Sequence, residues 1–255
     1  MYKEKLKARI KKVNSRLCVG LDPRPESSEK DIRNFLFKLI DETKDNAAVF
    51  KPNIAYFEAM GKNGYEILFE IIEYIKKYNV PIILDVKRSD IGETQKYYAK
   101  AYFQNMDVDA VTLNPYLGSD SIEPFLYENK GIYLLGITSN KGAKEIQQLE
   151  FGGKFIFEYI FEQAKKLNSE NVSVGLVVGL TNINDLIIPK IPDVPLLIPG
   201  LGAQGGNLEI VKSFIKKLDS PIVINVSRGI LYDEKEKSFY EKSLKYKEQI
   251  NELFR

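Results

Sequence analysis

Four charged residues follow two apolar segments of the sequence at spacings that suit acid–base chemistry. Lys51 lies two residues before Asn53, Asp85 lies two residues before Lys87, and Asp90 follows three residues later. Because side chains alternate along a β-strand, residues two apart point to the same side. We therefore expect two cations and a carboxylate around one small volume, with Asp90 in the loop beyond the second strand.

A structural salt bridge is the alternative explanation for any single pair among these charges. Removing several charges from water costs several kcal/mol per ion, which their mutual attraction only partly offsets. A strand that needed stability alone would carry Val or Ile at these positions. The whole set therefore favours a catalytic site, and the absence of histidine from the chain assigns acid–base work to Lys, Asp, Glu or Tyr.

Two late segments have the composition of a phosphate site. Residues 199–206 read PGLGAQGG and residues 226–229 read VSRG, which includes Arg228. Glycines let backbone N–H groups approach an anion closely, and an arginine can contact phosphate through two parallel hydrogen bonds. The alternative is that the glycines serve tight turns and that Arg228 lies on the surface.

An alternation of strands and helices must position these residues. Eight apolar segments predict buried strands, and the amphipathic stretches between them predict helices. This alternation favours an α/β fold, a closed (β/α)8 TIM barrel, whose active site lies at the carboxyl ends of the strands. The strands are expected at 17–21, 48–51, 81–86, 110–113, 132–137, 174–178, 195–198 and 221–226, and the clearest helices at 31–43, 65–77, 154–167, 208–218 and 234–253.

The main alternative fold is an open, doubly wound sheet that binds a dinucleotide. Such a sheet carries a G-x-G-x-x-G turn after its first strand, whereas residues 20–25 here read GLDPRP. Leu6, Ile10 and Val13 recur at helical spacing near the start of the chain. We expect them to form a short N-terminal helix that closes the bottom of the barrel.

The bulk properties exclude several classes of protein. The 255 residues match one barrel domain spanning 1–255, and the net charge of +2 favours neither a nucleic-acid nor a membrane partner. No apolar run is long enough to span a bilayer, and the single cysteine, Cys18, cannot form an internal disulfide. We expect a cytoplasmic protein in which Cys18 is a buried core thiol without a chemical role.

One ten-residue segment carries a specific family resemblance. Residues 85–94, DVKRSDIGET, resemble the D-x-K-x-x-D-I-x-x-T signature of the orotidine 5′-phosphate decarboxylases. Segments 20–23 (GLDP), 50–53 (FKPN), 113–118 (LNPYLG), 138–140 (TSN) and 199–206 resemble the same family in chain order. The resemblance spans nearly the entire chain, looks most like the longer bacterial subfamily, and implies a monofunctional enzyme.

The resemblance implies decarboxylation of orotidine 5′-phosphate to uridine 5′-phosphate, the final step of de novo pyrimidine biosynthesis, without a cofactor or a metal. Asp22 would bind the ribose, while Lys51 and Asn53 would position the ribose and the charge network. Asp85 would lie against the substrate carboxylate. Lys87 would be the proton donor to C6.

The resemblance also implies a homodimer, in which Asp90, Ile91 and Thr94 of one subunit complete the site of its neighbour. The remaining residues that it implies contact the base or the 5′-phosphate, beneath a loop that closes over the substrate. They are Thr138 and Ser139, facing the pyrimidine, and Pro199, Gln204 and Arg228, holding the base and phosphate.

Two other functions remain as alternatives. Hexulose phosphate synthases and keto-gulonate phosphate decarboxylases carry a similar D-x-K-x-x-D strand but use Mg²⁺ and an enediolate; Ile91, Thr94 and Gln204 favour the nucleotide enzyme instead. A catalytically silent nucleotide-binding protein would keep the phosphate loop. It would not need the four charged residues together.

Overall fold

The computed structural model describes residues 1–24, 29–200, 209–215, 217–233 and 238–255. Its main feature is an eight-stranded sheet in which every neighbouring pair is parallel. All eight predicted strands are present, with ends that differ by up to two residues from the expected ones. The strands are Leu17–Leu21 (β1), Val49–Pro52 (β2), Ile83–Arg88 (β3), Ala110–Leu113 (β4), Gly131–Ile137 (β5), Ser173–Val178 (β6), Leu196–Ile198 (β7) and Ile222–Val226 (β8).

The sheet returns on itself. Its hydrogen-bonded order is β2-β1-β8-β7-β6-β5-β4-β3, and two isolated parallel bridges, Phe50 to Ile82 and Asn53 to Asp85, join β2 to β3. The fold is therefore a nearly closed parallel barrel of the TIM type, and the prediction of a (β/α)8 barrel is confirmed. The open doubly wound alternative is wrong.

Helices follow most of the strands, as the apolar periodicity predicted. They are Tyr2–Val13 (α1), Glu29–Thr43 (α2), Ile54–Glu58 (α3), Gly61–Lys76 (α4), Gly92–Lys100 (α5), Ala143–Ile146 (α6), Ile156–Leu167 (α7), Glu209–Ile215 (α8), Arg228–Leu231 (α9) and Phe239–Glu252 (α10). A π-helical turn, Ala101–Asn105, continues α5. The last helix begins where Ser238 and Glu241 form a capping box.

The connections after β4, β5 and β6 depart from the simple strand–helix repeat, and the one after β6 contains only two 3₁₀ turns, Leu180–Asn182 and Ile188–Lys190. After β4 the chain forms three short 3₁₀ turns, Pro115–Leu117, Ser119–Ser121 and Glu123–Phe125. Helix α7 begins at Ile156 rather than at the expected residue 154, because Lys154–Phe155 belongs to a small antiparallel hairpin. Glycines 152 and 153 both have positive φ, +60° and +77°, and form the turn of this hairpin.

The core has two layers that follow the alternation of the strands. One large cluster packs between the outside of the barrel and the helices. A second cluster combines Tyr2 and Leu6 of α1 with inward residues of the strands, including Cys18 and Tyr133. The Tyr2 ring lies so close to Gly131, the first residue of β5, that a Cβ there would be 2.3 Å from it. Helix α1 therefore closes the amino-terminal end of the barrel, as predicted.

Cys18 lies within the inner cluster and is fully buried. Burial raises the pKa of its thiol to about 12. The prediction of a buried core thiol is confirmed. In the described ranges, no helix combines the length and apolar character that crossing a membrane requires.

Candidate active site

A polar layer lies directly above the apolar interior of the barrel. Val49, Ile83, Ala110 and Val223 belong to the inner apolar cluster. Two residues later on the same strands, the side chains again face the inside of the barrel, because side chains alternate along a strand. At these positions they are polar. These four residues are Lys51, Asp85, Thr112 and Asn225, all buried and all lining one cavity at the carboxyl ends of the strands.

This cavity is large enough for a nucleotide. Its volume is about 790 Å³, within the range of small-molecule sites. Most of the predicted site residues line it. They are Asp22, Lys51, Asn53, Asp85, Lys87, Thr138, Ser139, Pro199 and Arg228.

Asp85 is the centre of the charged cluster. Its Oδ2 accepts a hydrogen bond from Lys51 Nζ at 2.9 Å, and its Oδ1 accepts one from Lys87 Nζ at 2.6 Å. The hydroxyl of Thr112 also donates to Oδ1, at 2.8 Å. The predicted group of two cations and a carboxylate is therefore present, and its third polar partner, Thr112, was not foreseen.

The ionisation of the cluster follows from these contacts. Burial alone raises the pKa of the Asp85 carboxyl, but the ammonium groups of Lys51 and Lys87 outweigh it and hold that pKa well below its usual range. Burial likewise lowers the pKa of Lys51, and the carboxylates of Asp85 and Asp22 more than offset this, so the net shift is upward. Asp85 stays ionised and Lys51 stays protonated at neutral pH.

The two lysines differ in their access to the cavity. The Lys51 side chain is 6% exposed, whereas the Lys87 side chain is 48% exposed. A purely structural salt bridge accounts for Lys51 and Asp85. It does not account for Lys87, whose ammonium group lies beside Asp85 and remains open to a ligand and to solvent.

Two polar atoms on the β1 and β8 side of the cavity lack a partner. Asp22 Oδ1 and Ser227 Oγ are buried, and neither forms a hydrogen bond within the described residues. Gly20 allows the close approach of these two chain segments, because a Cβ there would lie 2.7 Å from the Ser227 Cβ. Unpaired buried polar atoms in a cavity indicate a polar ligand.

Asn53 combines a structural contact with a place in the cavity. Its side-chain oxygen caps the short helix α3 by accepting the N–H of Ala55 at 3.2 Å. The side-chain amide group is the donor end of the same residue. Asn53 therefore contributes amide N–H donors to the cavity, and Lys51, two residues earlier, contributes a cation.

The loop after β5 is held in place by its own hydrogen bonds. Gln147 accepts from the Thr138 N–H at 2.9 Å and donates to its hydroxyl at 2.8 Å. The Thr138 hydroxyl in turn donates to Asn140 at 2.6 Å. Gly179 lies against this loop, where a Cβ would be 2.6 Å from the Ser139 nitrogen. Thr138 and Ser139 are thus presented to the cavity by a preformed loop.

The predicted phosphate end is described in part. Pro199 and Gly200, with φ +88° at Gly200, line the cavity after β7. Arg228 begins α9 directly after β8 and is exposed, and its guanidinium has no ion pair or hydrogen bond within the described residues. Gln204 lies outside the described residues.

Three predicted site residues do not line this cavity. Asp90 is in the loop between β3 and α5, as expected, and its carboxylate accepts the N–H of Ile91 at 2.8 Å. Ile91 is 63% exposed, and Thr94 is exposed on the first turns of α5. The chain therefore does not bring these residues to its own charged cluster.

Several site residues were missed although the sequence carried a signal for some of them. Thr112 and Asn225 are polar residues inside otherwise apolar strands, which is unexpected for strands buried on both faces. Asn225 lies at the base of the cavity and accepts a hydrogen bond from the Cys18 thiol at 3.3 Å. Ser227 lies in the 226–229 segment predicted for the phosphate site but was not itself predicted, and Gln147 has no comparable pattern around it. The described residues hold no cluster of three or more His, Cys, Asp or Glu placed to bind a metal ion.

Comparisons with known proteins place the chain in a family. A sequence profile described as the orotidine 5′-phosphate decarboxylase / HUMPS family matches residues 15–242. The orotidine 5′-phosphate decarboxylase of Cupriavidus metallidurans is 39% identical over 251 residues, which are 93% of this chain and 92% of that protein.

Two solved structures are similar throughout this chain. The OMP decarboxylase of Leishmania donovani has a TM-score of 0.84 and 32% identity, covering 99% of this chain and 98% of that one. The UMP synthase of the same organism has a TM-score of 0.86 and 35% identity over 98% of this chain. The match covers 56% of that longer structure. The chain belongs to the orotidine 5′-phosphate decarboxylase / HUMPS family.

Proposed function

We propose that this protein decarboxylates orotidine 5′-phosphate to uridine 5′-phosphate without a cofactor, as one catalytic domain spanning 1–255. The observation that carries the proposal is the Asp85 carboxylate, held ionised by Lys51 and Lys87 on the floor of a nucleotide-sized cavity. A carboxylate kept charged at a ligand site has a clear use in this reaction. It disfavours a second carboxylate beside it, and that cost disappears when CO₂ leaves.

Lys87 stabilises and then protonates the carbon that loses the carboxyl group. When the bond between C6 and the carboxyl group breaks, its electron pair stays at C6 in the ring plane, where the π system cannot delocalise it. The Lys87 ammonium stabilises this developing negative charge and then transfers a proton to C6. Because its side chain is 48% exposed, the resulting amine regains a proton from solvent.

Binding energy from the rest of the nucleotide completes the account. One charge contact at about 4 Å contributes about 4 kcal/mol at an effective dielectric constant near 20. Rate enhancements reach about 10¹⁷-fold, or about 23 kcal/mol, so contacts away from the reacting bond must contribute. We assign Arg228, Gln204 and Pro199 to the phosphate and base.

The remaining contacts with the nucleoside follow from the same cavity. We assign Thr138 and Ser139 to the pyrimidine, and Asp22 and Asn53 to the ribose. The unpaired Oδ1 of Asp22 supports this assignment, since a ribose hydroxyl would satisfy it. The preformed loop that presents Thr138 and Ser139 supports theirs.

We also propose a homodimer in which Asp90, Ile91 and Thr94 enter the partner's cavity. Their position outside the cavity of their own chain supports this arrangement. So does the exposure of apolar side chains nearby, 63% for Ile91 and 64% for Tyr97. A surface of this kind is typical of an interface between subunits.

The dimer proposal has a sharp test in mixtures of two inactive variants, Lys87→Ala and Asp90→Asn. If Asp90 acts across the interface, each mixed dimer has one intact site and one doubly substituted site. Half of the dimers in an equal mixture are mixed, so about a quarter of the wild-type activity returns. If Asp90 acts within its own chain, the mixture shows only the mean of the two variants, which would refute the proposal.

The activity itself is tested by the loss of orotidine 5′-phosphate absorbance with purified protein, with and without EDTA. The proposal predicts conversion to uridine 5′-phosphate at the same rate in both. Loss that EDTA abolishes would contradict metal-free catalysis. No loss in either condition would refute decarboxylation and leave a sugar-phosphate substrate or a nucleotide-binding role.

A further inference from the structure

Strand β3 is irregular at the catalytic cluster. Leu84 is paired with Val111 of β4, and the next pair is Arg88 with Leu113. Three residues of β3, Asp85 to Lys87, therefore lie opposite the single residue Thr112. A bulge of this kind leaves backbone groups without their ladder partners and changes the direction of side chains.

The Thr112 side chain supplies the missing partners. Its Oγ1 accepts the backbone N–H groups of Val86 and Lys87, both at 3.0 Å, and donates its proton to Asp85 Oδ1 at 2.8 Å. A hydroxyl has one donor and two acceptor lone pairs, so all of its capacity is used. The residue is 1% exposed, and it has no capacity left for a hydrogen bond to substrate.

The same hydroxyl stabilises an unusual backbone at Lys87. This residue has φ +46°, in the left-handed region that lysine rarely adopts. Its N–H is fixed by Thr112, and its ammonium group shares Asp85 Oδ1 with the Thr112 hydroxyl. One side chain therefore determines both the backbone of Lys87 and the orientation of the carboxylate that its ammonium contacts.

We propose that Thr112 is the positioning residue of the Asp85–Lys87 pair, holding the bulge that directs the Lys87 ammonium to the reacting carbon. The inference rests on the roles of Asp85 and Lys87 in the proposed function. It assigns Thr112 an effect on the chemical step rather than on nucleotide binding, because its hydrogen bonds all go to the protein.

The test compares Thr112→Val with Thr112→Ser, and uses Thr43→Val as a matched control. Valine keeps the shape of threonine and removes the hydroxyl, whereas serine keeps the hydroxyl. Thr43 is fully buried in α2, and its hydroxyl donates to the Leu39 carbonyl at 2.6 Å, outside the cavity. The measurements are kcat, KM, the affinity for uridine 5′-phosphate and the melting temperature.

We expect Thr112→Val to lower kcat by about 100-fold, the loss that a displacement of about 1 Å in a catalytic group produces. Its KM and its affinity for uridine 5′-phosphate should stay near wild type. Thr112→Ser should retain kcat, and Thr43→Val should lower the melting temperature without a change in kcat. If the valine variant does not fold, Thr112→Ala is measured in its place, with a loss of kcat in the same direction.

Two results would overturn the inference. One is an unchanged kcat in the folded variant that lacks the hydroxyl. The other is a loss that serine does not restore, or that is matched by an equal loss of affinity for uridine 5′-phosphate. Failure of the proposed function is distinguishable, because wild-type protein would then not convert orotidine 5′-phosphate at all.

Discussion

The two ends of the cavity are built in opposite ways. One end, called here the carboxylate end, contains the Asp85 carboxylate. Asp85 and Lys51 are buried on strands and hydrogen-bonded to each other, and Thr112 completes the cluster. At the other end, which we propose binds the phosphate and call the phosphate end, Arg228 is exposed at the start of a short helix, and its guanidinium has no partner within the described residues.

This difference separates a part of the site that is preorganised for the chemical step from a part that serves to bind the ligand. Charges fixed by the protein before the ligand arrives need no rearrangement during the reaction, which is where electrostatic catalysis is most effective. A guanidinium at the rim instead gains its partner from the ligand, so its contribution appears as binding energy. Changes at the carboxylate end should therefore affect kcat and stability, and changes at the phosphate end should affect recognition of the nucleotide.

The largest expected effect is that of Lys87→Ala. Removing one charge contact of about 4 kcal/mol should lower kcat by about 10³-fold or more. The control is Lys130→Ala, which also removes an ion-paired lysine, 2.6 Å from Asp107, but lies outside the cavity. Steady-state kinetics should show the loss in the first variant alone. Near-normal turnover by Lys87→Ala would end the assignment of the proton donor.

Lys51→Met should affect both activity and stability. Breaking a buried ion pair typically costs about 3–5 kcal/mol of unfolding free energy, and Lys87, which still contacts Asp85, keeps the expected cost near the lower end of that range. We expect a fall of this size in urea unfolding, together with a kcat loss of about 100-fold from the displaced Asp85. A variant as stable as wild type would show that the carboxylate end is not organised by this pair.

Arg228→Ala should change recognition and leave stability unaltered. A charge-assisted hydrogen bond contributes about 1.5–3 kcal/mol, so kcat/KM for the nucleotide should fall by about 10- to 100-fold. A nucleoside substrate without the phosphate should react equally with wild type and variant. Equal losses on both substrates would contradict the phosphate assignment. Arg33→Ala, on the outer surface at an ion pair with Glu70, serves as the control.

The smallest effect is the dependence of stability on pH through Asp85. Its pKa is depressed in the folded protein, so its contribution to stability is present above the unfolded value, about 3.9, and is lost as pH falls through the folded value. The difference in unfolding free energy between wild type and Asp85→Asn should therefore be constant from neutral pH down to about 5, and should shrink in more acidic solution. Urea unfolding across this range checks the sign, and a difference that grows on acidification would contradict it.

The barrel and much of its charged cluster could be predicted from the sequence. Apolar runs located the eight strands, and alternation along them predicted that Lys51 and Asp85 share an inner surface. The bulge could not be predicted, because nothing in the local sequence signals a lysine with positive φ, or a threonine 25 residues later on the neighbouring strand that satisfies its N–H. The proposed contact of Asp90 with a second subunit cannot be read from periodicity either, since periodicity reports on a single chain.

Thr112 and Asn225 mark a signal that could have been used. Both are polar residues in strands that are buried on both faces, the same criterion that identified Lys51 and Asp85. Neither carries a charge, the property on which the prediction of the site rested. The assignment to the longer bacterial subfamily stays a prediction.

The most direct test of the account is hydrogen exchange at C6 of uridine 5′-phosphate in D₂O. A group that protonates C6 must also remove that proton in the reverse direction, and the Lys87 ammonium exchanges its own protons with solvent. The account predicts loss of the C6 proton signal in NMR spectra with wild type and with Lys130→Ala, and none with Lys87→Ala. Exchange that persists in Lys87→Ala would contradict it.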